Sequence, residues 1–171
     1  QIQILDLSNR KYLIELGICS FQCNQIKCLR LPQNIEIIKE GTFLENQIQS
    51  LNLSNYKKLK YIEKDSFSYN QIKQLKLPIN IRKIEENTFK HNQIEILDLS
   101  IYIKLKKIYK HAFSENPLNE IKILDNVLLE YDEYFYFLKD PWNTFTKYYN
   151  DNEKKAGDYK YIDNKWQWYP L

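Results

Sequence analysis

At 171 residues, 43% of them apolar and with a formal net charge of +3, the chain suits one domain or a short repeat array with a closing segment, and the weak basic excess argues against obligate nucleic-acid binding. Three glycines are too few for a phosphate-cradling loop, no GxGxxG or Walker pattern occurs, and no apolar run approaches the roughly 18 residues of a membrane span. No charged-then-apolar signal segment is present, but the chain begins with Gln rather than Met, which predicts a processed or cut fragment and leaves the compartment open.

Residues Gln1 to Ser8 align without a gap on Gln93 to Ser100, so the chain starts inside a repeat. No polar cap precedes it, and the first strand, Ile2 to Leu7, is expected to be an open edge prone to self-association. The repeat is clearest at Phe67-Ser68-Tyr69-Asn70-Gln71-Ile72-Lys73-Gln74-Leu75-Lys76-Leu77-Pro78. It recurs from Phe21, Phe43 and Phe89, and more weakly from Phe113, always with an Asn three residues later: Asn24, Asn46, Asn70, Asn92 and Asn116. Self-similarity at this period is the mark of a solenoid. Two copy types alternate, one ending its Leu-x-Leu triplet in Ser (Ser8, Ser54, Ser100) and one in Pro (Pro32, Pro78, with Leu124 where the next Pro is due). The spacing between Phe residues therefore alternates between 22 and 24, and the two-residue difference falls in the segment after the triplet, which marks it as a turn.

The triplet alternates as a strand does, with Leu75 and Leu77 inward and Gln74 and Lys76 outward. Pro ends the strand because it cannot donate to the ladder. The next apolar pair (Leu59 and Ile62, or Ile81 and Ile84) re-enters the core, and a short helical or 3₁₀ turn carries the following Phe inward. The Phe column reads as core. The Asn column reads as buried side chains that satisfy backbone groups of the neighbouring turn. Cys19, Cys23 and Cys28 lie close together; free thiols, a Cys19–Cys23 disulfide and a metal site all remain open, although zinc would need a fourth ligand and neither His is near.

This Leu-x-x-Leu-x-Leu pattern with Phe-x-x-Asn resembles the BspA-like class of leucine-rich repeats over Gln1 to about Val127. The resemblance implies a right-handed α/β solenoid with parallel strands and a secreted or cell-surface protein that binds other macromolecules, without naming a partner. The chain departs from that class in keeping only Gly41 at the turn before Phe.

The expected organisation is a leucine-rich-repeat array of about six coils over 1–127 and a small α/β cap over 128–171. The second part is aromatic: Tyr131, Tyr134, Phe135, Tyr136, Phe137, Trp142, Phe145, Tyr148 and Tyr149. Asp140-Pro141 reads as an N-cap and first helical residue, with Trp142, Phe145 and Tyr149 on one face. Tyr159 to Ile162 and Trp166 to Tyr169, joined through Asp163-Asn164-Lys165, read as a β-hairpin. The tail is similar to those that follow such arrays in bacterial surface proteins, and it reads as a cover for the last coil or as a sugar- or cell-wall-binding element.

Catalysis has little support: His91 and His111 sit at different repeat positions without a nucleophile at recognisable spacing. No catalytic, metal or cofactor residues are assigned. Two outward strand columns supply the candidate partner surface, Arg30, Asn52, Gln74, Lys76, Ile96 and Asp98, with Asp6 expected beside Arg30 and Asp98 between Lys76 and Lys122. The Ser-type turns supply a second candidate, a Tyr-dotted basic edge at Lys57, Lys58, Lys106 and Lys107, with Tyr12, Tyr56 and Tyr102 among the cations. The turns of the Pro-type copies lack cations. The expected function is non-catalytic binding of a protein or glycan at a cell surface; the alternatives are an intracellular scaffold or effector, and wall binding through the tail.

Overall fold

The computed structural model describes residues 1–132 and 140–171, so Tyr134, Phe135, Tyr136 and Phe137 lie outside the described residues. The array is a parallel-strand solenoid. Each coil contributes a longer strand and a two-residue strand: β1 (Ile4–Asp6) and β2 (Glu15–Leu16), β3 (Cys28–Arg30) and β4 (Ile37–Ile38), β5 (Ser50–Asn52) and β6 (Tyr61–Ile62), β7 (Gln74–Lys76) and β8 (Lys83–Ile84), β9 (Ile96–Asp98) and β10 (Lys107–Ile108), β11 (Glu120–Ile123) and β12 (Leu128–Leu129). From β1 to β11 the chain makes about five turns. Outward residues of the longer strands are exposed from β1 to β9 and half-buried in β11, while Leu5, Leu51, Leu97 and Ile121 lie in the core.

The longer strands do not form one ladder. β1 pairs with β3, β5 with β7 and β9 with β11, whereas β3 and β5, and β7 and β9, are not joined. The turn tyrosines explain the interruption. The Tyr56 hydroxyl accepts from the Leu31 N–H at 3.1 Å, and the Tyr102 hydroxyl from the Leu77 N–H at 2.9 Å. Each hydroxyl thus replaces a strand carbonyl at the end of a Pro-type copy, just before the proline that cannot donate. Tyr56 is half-buried and Tyr102 buried, so these two are pegs between coils and not part of an exposed stripe; Tyr12 alone is fully open to solvent.

The stretch before each Phe is a turn and not a helical segment. It is bent by left-handed residues two before Phe (Cys19, Gly41, Asp65, Asn87, His111) and two after it (Cys23, Glu45, Tyr69, His91, Glu115). Only glycine adopts this conformation freely, and Asn, Asp and His are the side chains that best tolerate it. A side chain at Gly41 would also come within 2.9 Å of Cys19 Sγ. Between the two bends the Phe rings stack from Phe21 to Phe113 with centroids 5.2–5.8 Å apart.

The Asn column stitches the coils. Asn70 Nδ2 donates to the Phe43 carbonyl of the preceding coil at 2.9 Å and to Phe67 and Ser68 of its own, while Oδ1 accepts from the Ile48 N–H at 3.0 Å. Asn46, Asn92 and Asn116 repeat the pattern.

Past the array, α1 (Pro141–Asp151) begins at the Asp140 N-cap, whose carboxylate accepts from the Asn143 N–H at 3.1 Å. Trp142 continues the ring stack at 5.0 Å from Phe113, and Trp142, Phe145 and Tyr149 are fully buried. Asp140 also accepts from the Glu115 N–H, and Ser114 donates to Asn143, so the helix takes the place of a following coil. The hairpin β13 (Gly157–Ile162) and β14 (Lys165–Tyr169) turns at Asp163 and Asn164, both left-handed, as a two-residue hairpin loop requires. β13 pairs antiparallel with β11, which extends the outer sheet through the tail, and β12 pairs with β10, which carries the second ladder two residues past Val127.

Candidate binding surface

All six residues of the outward strand columns are exposed, but they do not act as one set. Arg30 stands beside Asp6 in the β1–β3 register and meets its carboxylate at 3.3 Å. Asn52 and Asp98 spend Oδ1 locally, accepting from the backbone and hydroxyl of Ser54 and Ser100. The equivalent bonds from Ser8, with Arg30 adding to them, hold the Asp6 carboxyl below its usual range. This Asx-type turn explains the Ser that ends each such triplet. Lys122 faces Asp98 in register, yet its ammonium reaches Glu120 in its own strand at 3.4 Å, so the expected Lys76–Asp98–Lys122 ladder does not form.

What the structure does assemble is a groove of about 540 Å³ over the unjoined β7/β9 step. Gln74, Lys76, Ile96 and Asp98 line it, and Leu75 is half-buried at its floor because the strands are not closed over it. Lys76 and Asp98 supply opposite charges, and Ile96, 59% exposed, supplies the apolar surface. The Tyr102 peg beneath the step keeps it open.

The basic edge also divides. Lys58 donates to Asn34 Oδ1 at 2.8 Å, and Lys107 is neutralised by Glu130 at 2.5 Å and lies over the Tyr109 ring. Lys57 and Lys106 are exposed. Lys57 lines a second groove with Lys60 and Lys104, cations of the same Ser-type turns, and with Arg82 and Lys83, which the sequence comparison passed over. The signal lay two residues past the Ile79-Asn80 turn, where Arg82-Lys83 stands in the place of Glu36-Ile37.

The three cysteines are free and exposed. Cys23 Sγ donates to Glu45 at 3.3 Å, which pushes its thiol up. Among the described residues no group of three or more His, Cys, Asp or Glu could hold a metal ion, and no helix is long and apolar enough to cross a membrane. His111 lies 3.4 Å from Ser114 Oγ and 3.6 Å from Asp132, a Ser-His-Asp contact set, but Ser114 is buried and its hydroxyl is committed to Asn143. A nucleophile there has no access to substrate. His91 pairs with Glu115 at 2.9 Å and stacks on Tyr69.

A family model for the BspA type leucine rich repeat region matches residues 14–139 in six copies. No curated protein and no solved structure matches the chain significantly.

Proposed function

The chain belongs to the BspA-type leucine-rich repeat family, and from that premise we propose that it is the non-catalytic binding module of a secreted or cell-surface bacterial protein, recognising a macromolecular partner in adhesion. Leucine-rich repeats of this type are protein-interaction modules. The observation that carries the choice of surface is the β7/β9 groove, where the outward columns stop being a flat, self-paired ladder and offer an exposed Ile between a lysine and an aspartate. An extended solenoid face with this notch suits a protein segment whose apolar side chain enters and whose charges meet Lys76 and Asp98.

The test is a screen of the chain against extracellular matrix proteins and glycans, followed by kinetics with variants. Lys76→Glu is expected to slow association with a strong salt dependence, and Ile96→Ser to speed dissociation. A partner that binds both variants as it binds the parent places the site elsewhere.

The free, exposed thiols favour a second reading, an intracellular scaffold or effector using the same face, because unpaired cysteines suit a reducing compartment. Wall or glycan binding through the tail draws on less, since Trp142 and Trp166 are buried and Trp168 is the one partly exposed indole.

A further inference from the structure

The second ladder is interrupted once among the described residues, between β6 and β8. At the matching step one copy pair earlier, the N–H groups of Glu36 and Ile37 both donate to the Ile14 carbonyl, at 2.8 and 3.2 Å. The equivalent bonds from Arg82 and Lys83 to Lys60 are not formed. The column across this step reads Ile14, Glu36, Lys60, Arg82, Lys106, so Lys60 has Glu36 on one side at 2.8 Å but Arg82 on the other, and Arg82 faces lysines in both directions. The like charges do not by themselves part the strands, since Lys83 pairs with Lys107 in the joined β8–β10 ladder, but they make the unjoined step strongly cationic.

The opening is a groove of about 490 Å³. Five cations line it, Lys57, Lys60, Arg82, Lys83 and Lys104, with Tyr61 half-exposed among them and no carboxylate on its walls. Lys83 reaches Glu85 and Lys104 reaches Asn80, but Lys57 and Arg82 form no ion pair among the described residues. An adjoining cavity of about 270 Å³ carries Glu40, Glu63 and Glu85 and bounds the cationic stretch on that side.

We propose that the β6/β8 groove is a binding site for a sulfated polysaccharide, separate from the strand face. Sulfate esters stay ionised at neutral pH and offer several acceptor oxygens to converging ammonium and guanidinium groups. The Tyr61 ring offers a flat apolar face for a sugar between the charges, a feature that a simple acidic peptide leaves unused. The carboxylates at one end limit the bound stretch to a few saccharide units.

The probe is a heparin octasaccharide, titrated into the full chain at several salt concentrations. Arg82→Glu with Lys83→Ile installs the Glu36-Ile37 pair of the earlier copy. This double variant is expected to lose affinity by about tenfold or more. Lys57→Ala with Lys104→Ala removes two exposed cations and only one exposed hydrogen bond, Lys104 to Asn80, and should lose about fivefold or more with a nearly unchanged melt. Lys76→Glu, on the strand face, should change the affinity by less than about twofold, since the screening length at physiological salt is about 8 Å. The assignment is overturned if both double variants bind like the parent, if desulfated heparin binds as tightly, or if poly-L-glutamate displaces the octasaccharide at equal charge, which would make the groove a reader of acidic peptides.

Discussion

The turn tyrosines test how the outer sheet is divided. Tyr56 and Tyr102 occupy the same position in successive Ser-type copies, half-buried and buried, while Tyr12 lies two residues further along its own turn, where Lys58 and Lys104 stand in the later copies, and is exposed. Changing Tyr102 to Phe keeps the ring and removes the oxygen that accepts from the Leu77 N–H at 2.9 Å. Leu77 is itself buried, so no water replaces that oxygen and the donor is left unpaired. An unpaired buried donor costs about 1–3 kcal/mol. For a chain of this length each kcal/mol moves the melting temperature by about 2–4 °C, so Tyr102→Phe should lower it by about 2–12 °C. Tyr56→Phe breaks a longer bond in a wetter place and should fall in the lower half of that range. Tyr12→Phe should melt with the parent. Far-UV thermal melts with amide exchange at Leu77 read the effect directly. If Tyr102→Phe melts with Tyr12→Phe and the Leu77 amide stays protected, the hydroxyl is not what interrupts the sheet, and the β7/β9 groove has another cause.

Asn70→Ala strands the Ile48 N–H and the Phe43 carbonyl between coils and should cost about 2–5 kcal/mol, whereas Asn52→Ala loses a solvent-exposed turn and should cost under about 1 kcal/mol; equal denaturation midpoints would contradict the stitch. Trp142→Ala opens the end of the ring stack and should cost about 3–5 kcal/mol, and a variant that melts with the parent would mean that α1 does not cover the array. Glu45→Gly relieves a left-handed bend and should stabilise the fold by about 1 kcal/mol in urea titrations, while a loss would mean that the Cys23 contact outweighs the strain. Burial pushes the Tyr149 hydroxyl up to about 12, above the ordinary value of about 10, because the dry site disfavours the phenolate more than the bond it accepts from the Val127 N–H favours it. Its contribution is therefore whole below about pH 10 and lost as the pH rises through about 12; Tyr149→Phe should flatten that alkaline limb of the stability curve, and an unchanged limb would refute the linkage.

The array was legible because its determinants are local. A period-two triplet is a strand whatever surrounds it, and Phe followed by Asn at three residues meets the same partners in every coil because every coil is the same. Asp140-Pro141 and Asp163-Asn164 were legible for the same reason, each being a turn or cap chemistry contained in two residues. The tertiary structure decided everything that depends on pairs of residues about 22 or 24 apart. A tyrosine beside lysines in a turn looks solvated, and only the stacking of coils buries Tyr102 against Leu77, whereas Tyr12, two residues further along its own turn, stays in water. Asp98 looks like a charge on a face until Ser100 claims its oxygen and Lys122 turns to Glu120. Arg82 looks like one more surface cation until stacking sets it between Lys60 and Lys106, beside a step of the second ladder that does not close. Solenoid contacts run between neighbouring coils, so both grooves lie where one coil's strand does not pair with the next, and such a step exists only once the coils are stacked.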